Sequence, residues 1–254
     1  MRKFIRWALT LVLVGVIAYS GYQIYTILHE YNKADVMQND MMVYKPPQPP
    51  SGTPAPVADG TPAPTPAPTP IVNQSIIDAQ RDINGDIVGW LTVPGTRVDY
   101  LFVQAEDNDF YLHRDLNKNY AYAGSIFMDC RNSADFSDFN TILYGHHMKN
   151  GSMFHNLQEF QEDDFFAAYQ TGFIYLPYRN LTLEIFAYMV IEADDQMIYT
   201  TQPESFDGFV SYVKREARQY RDPGLTPDDR IVTLSTCGYE YEGARIVLLA
   251  KVVE

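Results

Sequence analysis

Three consecutive segments near the end of the chain decide the fold: Arg230-Ile-Val-Thr-Leu-Ser-Thr-Cys237, the short connection Gly238–Ala244, and Arg245-Ile-Val-Leu-Leu-Ala-Lys-Val-Val253. The first and third segments are rich in β-branched residues and Leu, so each predicts a β-strand. Because the connection is short, we expect the two strands to pair as an antiparallel hairpin. Cys237 then ends one strand and Arg245 begins its neighbour, which brings a thiol and a guanidinium together at the mouth of the hairpin.

Further strands precede this hairpin. They are runs of β-branched and aromatic residues bounded by Gly, Pro, Asn or Asp, namely Gly89–Val93, Val98–Val103, Gly124–Met128, Thr141–Tyr144, Phe173–Leu176 and Leu181–Ile191. With the hairpin they make eight strands, and so many strands with few helices indicate a mainly β chain that closes, or nearly closes, into a barrel.

Helical patterns occupy three short parts of the same region. Ser75–Asn84 predicts a helix with Ser75 as its N-cap. Met153–Tyr169 predicts a second helical stretch, broken near Glu162, and Phe206–Tyr220 predicts a third, because its apolar residues recur at helical spacing.

The N-terminal part has a different composition. Residues 7–28 contain no charged side chain and are long enough to cross a bilayer as a helix. Residues 1–6 include the basic side chains of Arg2, Lys3 and Arg6. This predicts that 1–6 form a cytoplasmic tail and that the chain after the apolar segment lies outside the cell. A Pro-rich linker is expected over 29–70, and one folded domain over 71–254. The alternative is a cleaved signal peptide, but the tyrosines after the apolar centre favour a retained anchor.

Charge and cysteine content exclude several classes of function. The formal net charge is -13, which argues against nucleic-acid binding and against docking on anionic lipid through charge alone. The chain has 2 cysteines, too few for a disulfide scaffold and without metal-type spacing. A single Cys130–Cys237 disulfide stays open as an alternative.

Cys237 is the candidate nucleophile. A cation beside it favours the thiolate, and Arg245 also offers N–H donors to an oxyanion, although Arg245 could instead pair with Glu240 or Glu242. A thiol enzyme also needs a proton donor. His146 and His147 follow the strand that ends at Tyr144, and in an extended chain they point to opposite sides, so the spacing alone does not choose between them. A zinc site at His146, His147 and His155 is weakly supported, since helical ligand spacing is missing.

The motifs together resemble the sortases, specifically class B. The resemblance is carried by Thr233-Leu-Ser-Thr-Cys237 followed by Arg245, by Tyr144-Gly-His-His-Met148, by Gly151-Ser-Met-Phe154, and by upstream matches at 83–91, 107–112 and 124–129. It implies an eight-stranded sortase-type β-barrel with N-terminal helices and a long helix before the Cys-bearing strand. It also implies that His146, not His147, is catalytic with Cys237 and Arg245.

The same resemblance implies the reaction and its partners. A sorting signal at the C-terminus of a surface protein would be cleaved through a thioacyl enzyme, and the protein would be joined to an amino group of cell-wall peptidoglycan without a cofactor or metal. Six residues would contact the sorting signal: Ser235, Asn108, Leu112, Tyr144, Ile198 and Tyr199. Two other functions remain open, namely a cysteine endopeptidase that uses water and a non-catalytic, membrane-tethered β-barrel scaffold.

Overall fold

The structure, a computed structural model, describes residues 2–47 and 71–253. Most of the Pro-rich tract therefore lies outside the described residues. The helices are α1 Arg2–Met41, α2 Gln74–Asp82, α3 Asp163–Ala168 and α4 Phe206–Glu216, with short 3-10 segments at Met42–Tyr44, Phe110–His113 and His155–Gln161. The strands are β1 Ile87–Thr92, β2 Asp99–Gln104, β3 Ile126–Met128, β4 Asn140–Tyr144, β5 Thr171–Leu176, β6 Arg179–Glu192, β7 Gln219–Tyr220, β8 Ile231–Cys237 and β9 Ala244–Val253.

Eight of these strands close into a barrel in the order β5-β1-β2-β3-β4-β8-β9-β6, and the pairing of β5 with β6 completes the ring. The expected eight-stranded, mainly β fold is thereby confirmed. Two neighbouring pairs are parallel, β2 with β3 and β4 with β8, whereas the others are antiparallel. The short β7 is an addition outside the ring and pairs with the middle of β6.

Strand alternation sorts the apolar side chains into three clusters. One set fills the barrel interior, where Val232 and Leu234 of β8 meet Ile246 and Leu248 of β9. A second set lies on the outer face of the same strands and packs against α4 through Phe209. A third covers the outer face of β1 and β2 beneath α2. Residues of β8 that point outward therefore share the α4 side of the sheet.

Two details of the helices differ from the expectations. Helix α2 begins after Asn73, so Ser75 as its N-cap is wrong, and the Asn73 side chain donates instead to the Leu176 carbonyl at 2.5 Å. The stretch expected to be helical through Tyr220 ends at Glu216, because the backbone of the next residues hydrogen-bonds to β6. The expected break at Glu162 is confirmed, since this residue is extended between the 3-10 segment and α3.

Helix α1 continues beyond the apolar segment and docks on the barrel. Residues 29–41, assigned to the linker from sequence, are helical, and Tyr31 and Ala34 pack against the barrel cluster. Arg97 pairs with Asp35 at 2.9 Å, and Lys45, just past the helix, pairs with Asp99 at 2.5 Å. Residues 29–41 therefore belong to the docked part of α1.

The packing of α4 on the sheet yields a stability prediction. Phe209 is fully buried, so Phe209→Ala should leave a cavity and lower the free energy of unfolding by about 3–5 kcal/mol. Tyr178 is 71% exposed, and Tyr178→Ala should change it by less than about 0.5 kcal/mol. Denaturant titration of both variants measures the difference; equal effects would contradict the packing described for α4.

Candidate active site

Cys237 and Arg245 face each other in the hairpin. They are register partners at the open end of the β8–β9 pair, as the sequence predicted, and both are partly buried. Residues directly opposite in an antiparallel pair project from the same face of the sheet. The Arg245 guanidinium donates to the carbonyl of the preceding residue, Ala244, at 3.1 Å. Among the described residues it forms no ion pair. Glu240 pairs with Arg218 instead, at 3.4 Å.

His146 follows the strand on the other side of β8. Tyr144 is the register partner of Ser235 in the parallel β4–β8 pair, and the Gly145 amide continues the ladder to the Ser235 carbonyl at 3.1 Å. The strand pairing ends there, so His146 lies two residues beyond the end of β4, and Cys237 lies two residues beyond Ser235 in β8. The three candidate catalytic residues thus lie at or just beyond the ends of three neighbouring strands, Cys237 in β8, Arg245 in β9 and His146 after β4.

The environment of His146 defines its protonation. Its Nε2 lies 2.8 Å from the Leu112 carbonyl oxygen, which only accepts, so Nε2 carries the proton. Burial lowers the pKa of His146; the bond to Leu112 offsets this in part, and the stacked His113 ring adds to the lowering. The imidazole is therefore neutral at neutral pH, with Nδ1 left for proton exchange.

His147 points to the other side of the chain and has a different partner. Its Nδ1 donates to the backbone carbonyl of Cys237 at 2.8 Å, and its ring packs edge-on against His155. Burial lowers the pKa of His147 as well, although the bond to Cys237 opposes the shift. The ring therefore braces the strand end that carries the thiol. Among the described residues, no cluster of His, Cys, Asp or Glu forms a metal-binding group.

Gly145 is the residue that lets His146 approach the sheet. A Cβ at this position would lie 2.5 Å from Ile126 Cδ1 and 2.9 Å from the ring of Phe154. Phe154 is fully buried and cannot retreat, so only glycine fits between the strand end and the core.

Three of the expected sorting-signal contacts lie around Cys237. The Ser235 hydroxyl shares a hydrogen bond of 2.8 Å with the Tyr199 hydroxyl, and the Tyr144 ring lies 6.1 Å from that of Tyr199. Burial raises the pKa of Tyr199 to about 12, so its hydroxyl stays protonated. These side chains form a polar and aromatic wall beside the thiol.

The other three expected contacts are placed differently. Leu112 contributes its carbonyl to His146, and Asn108 accepts a hydrogen bond from the Cys130 amide at 2.8 Å. Ile198 is fully buried in the cluster beneath α4, so its side chain is not part of the accessible surface. Its neighbour Tyr199 is the residue of that loop that reaches the site.

Asp129 and Arg131 hold this wall in place and were not singled out from the sequence. The fully buried Asp129 carboxylate accepts from Arg131 at 2.7 Å and from the Tyr144 hydroxyl at 2.9 Å. Arg131 also donates to the Tyr199 carbonyl at 3.1 Å. Burial alone would raise the pKa of Asp129, but these donors hold it below its ordinary value. The sequence signal that could have identified Asp129 is its charge, directly after the apolar strand β3.

Both cysteines are free. Cys130 and Cys237 are each partly buried and unpaired in the structure. The disulfide that the scaffold alternative requires is therefore not formed.

Comparison with known proteins gives the family. The sequence pattern of the sortase domain matches residues 91–253. The chain belongs to the sortase family. Over its whole length it is 36% identical to sortase B of Listeria monocytogenes, across 98% of that protein. The solved sortase B of Clostridium perfringens, a Cys-to-Ser variant, is 35% identical with a TM-score of 0.67, covering 71% of this chain and 87% of the other.

A third relative was solved in complex with a substrate. The Staphylococcus aureus sortase B–substrate complex is 32% identical with a TM-score of 0.66, and the match covers 72% of this chain and 86% of that one. These relatives place the protein in class B, as its motifs indicated. The protein is accordingly an enzyme, a cysteine transpeptidase of the type that anchors proteins to the cell wall.

The close packing around Gly145 predicts the effect of a single methyl group. Gly145→Ala should lower the free energy of unfolding by about 1–3 kcal/mol, because the new Cβ overlaps the Phe154 ring, and it should lower kcat by displacing His146. Gly85→Ala is the matched control, since nothing lies within 4 Å of its Cβ position. Thermal unfolding and turnover of both sortase variants test this; a stable and active Gly145→Ala enzyme would refute it.

The two histidines predict a pH dependence of stability. Their folded pKa values lie below the ordinary value of 6.5, so the unfolded chain binds more protons as the pH falls through that value. Stability should therefore decline on acidification from about pH 7 to about pH 5. His146→Gln combined with His147→Asn should flatten this decline, which denaturant titration at several pH values measures. An unchanged slope would show that other groups control it.

Proposed function

We propose that this sortase uses Cys237 to cleave the C-terminal sorting signal of surface proteins and then joins each protein to an amino group of cell-wall peptidoglycan. The observation that carries the proposal is the register of β8, which pairs Cys237 with Arg245 in β9 and places β8 beside β4, the strand that His146 follows. A nucleophile, an oxyanion donor and a proton carrier are the groups that acyl transfer needs.

The first half of the reaction forms a thioester. The neutral imidazole of His146 takes the Cys237 proton, and the sulfur attacks the carbonyl carbon of the scissile bond. Negative charge develops on the carbonyl oxygen, where Arg245 and backbone N–H groups donate to it. The C–N bond then breaks, and His146 returns its proton to the leaving amine.

The second half transfers the acyl group. An amine of the peptidoglycan precursor attacks the thioester carbon, and neutral His146 accepts the proton that this amine loses. The C–S bond breaks, an amide forms, and the sulfur recovers its proton. No oxidant, reductant or cofactor enters this sequence.

The residues that would hold the sorting signal are Ser235, Tyr144 and Tyr199, with Asn108 and Leu112 at the edge of the site. Ser235 and Tyr199 already share a hydrogen bond beside Cys237, which supports a role in orienting a peptide. The buried position of Ile198 supports only an indirect role, through the packing of the loop that carries Tyr199.

We further propose that α1 retains the enzyme in the cell membrane. It contains the span expected from 7–28, and its apolar window has a mean hydropathy of 1.7. Arg2, Lys3 and Arg6 favour a cytoplasmic N-terminus, which places the catalytic barrel outside the cell, where sorting signals and peptidoglycan amines are met.

Turnover with defined peptides tests the catalytic proposal. The full chain, incubated with a library of sorting-signal peptides and a peptidoglycan-like amine, should give an amide product. Cys237→Ala should abolish turnover, whereas Cys130→Ala, the matched control, should retain it. Arg245→Ala should lower kcat by about 10²–10³-fold through loss of oxyanion donors. Activity that survives Cys237→Ala would refute the proposal, and an acid product in place of the amide would identify an endopeptidase.

A further inference from the structure

Three exposed tyrosines of the catalytic domain surround the point where α1 reaches it. Tyr120, Tyr122 and Tyr239 have exposed fractions of 64%, 52% and 66%. We call them the tyrosine surface. An aromatic group of this size exposed to water needs an explanation, because Tyr favours sites that are apolar on one side and wet on the other.

Direct contacts connect this surface to α1. Lys33 donates to the Tyr120 carbonyl at 3.0 Å, and the Tyr122 amide donates to the Glu30 carboxylate at 3.4 Å. A cleft of about 400 Å³ lies between the helix and the barrel, with Thr26 and Ile27 on the helix side and the three tyrosines on the other. The surface therefore lies level with residues 26–33 of α1.

The level of these residues relative to the bilayer follows from helix geometry. The expected span ends at Leu28, and a helix rises about 1.5 Å per residue, so Glu30 is about 3 Å beyond the end of the span. The headgroup layer extends about 5–8 Å beyond the hydrocarbon on each side. Thr26 and Ile27 belong to the last apolar turn, so a cleft with these residues on one wall opens at the edge of the hydrocarbon.

We propose that the tyrosine surface lies in the headgroup layer of the bilayer that α1 spans, so that the active-site end of the barrel faces the membrane. This inference rests on the anchoring role proposed for α1. The occupant is the lipid interface itself, because the same helix forms one wall of the cleft and crosses the bilayer. Phenol rings suit this layer, where the ring contacts acyl chains and the hydroxyl stays hydrated.

Charge supports aromatic rather than ionic contact. The net charge of -13 would repel an anionic leaflet, and the cations near the surface are few: Lys33 and Lys149, beside the carboxylate of Glu30, and Arg114, whose backbone bridges to Tyr120. The contact should accordingly form on zwitterionic lipid and persist at high salt.

The surface is continuous with the catalytic residues. Tyr239 follows Cys237 by two positions in the hairpin connection, and its hydroxyl donates to the His147 carbonyl at 3.2 Å. His147 in turn donates to the Cys237 carbonyl. Lipid contact at Tyr239 would therefore hold the thiol close to the membrane surface, within reach of an amine borne there.

Fluorescence quenching by nitroxide lipids tests the proposed orientation. The full chain with Cys130→Ser and Cys237→Ala is labelled with a polarity-sensitive fluorophore at Tyr122→Cys or at Tyr239→Cys and placed in phosphatidylcholine vesicles with headgroup nitroxides. Tyr178→Cys is the matched control, since Tyr178 is 71% exposed and lies in a cleft lined by β5, β6 and α2. Quenching at the first two sites should exceed that at the control several-fold, at low and at high salt.

A label at Leu13→Cys separates this inference from the anchoring proposal. Quenching of Leu13→Cys by nitroxides deep in the acyl chains shows that α1 spans the bilayer. If that label is quenched while Tyr122→Cys and Tyr239→Cys behave like Tyr178→Cys, the proposed orientation is wrong and the anchor stands. If Leu13→Cys is not quenched, the anchor fails. A change in the fluorescence of the label at Tyr122→Cys that depends on protein density, and not on the nitroxide lipid, would indicate contact with a second copy of the chain. That result would also overturn the inference.

Discussion

The site depends on the hydrogen-bonded register of β8 between β4 and β9. Because side chains alternate along a strand, a slip of one residue would turn Cys237 into the barrel and bring Thr236 to the outer face. The core prevents that slip, since Val232 and Leu234 occupy the interior and their neighbours along β8 do not. The alignment of the thiol with Arg245 is thus stabilised by apolar burial several residues away from the chemistry.

The barrel could be predicted from sequence because its signals are local. Each strand is a run of β-branched and aromatic residues between turn residues, and the short connection after Cys237 leaves a hairpin as the simplest pairing. Features that depend on contacts between distant parts of the chain could not be predicted in the same way. β7 exists only because Gln219 and Tyr220 pair with β6, and Ser75 lost the capping position because Asn73 bonds to residues about a hundred positions later.

The candidate site likewise contains residues that the sequence predicts and residues that it does not. Cys237, Arg245 and the two histidines are conspicuous by residue type and by position at strand ends. The charge of Asp129 directly after β3 is visible in the sequence, but its supporting role is not, because one of its donors, Tyr144, comes from another strand. The choice between His146 and His147 needed the family resemblance at first. In the structure each ring has its own partner, the Leu112 carbonyl for His146 and the Cys237 carbonyl for His147.

The docking of α1 joins these parts in one physical argument. An acidic barrel on a long free linker would be held away from an anionic leaflet by its own charge. The ion pairs of Asp35 with Arg97 and of Lys45 with Asp99 attach the barrel to α1 and to the residues just after it. Exposed pairs of this kind are weak singly, so the packing of Tyr31 and Ala34 on the barrel must supply most of the attachment. Under the anchoring proposed for α1, the same helix would also set the direction in which the thiol faces.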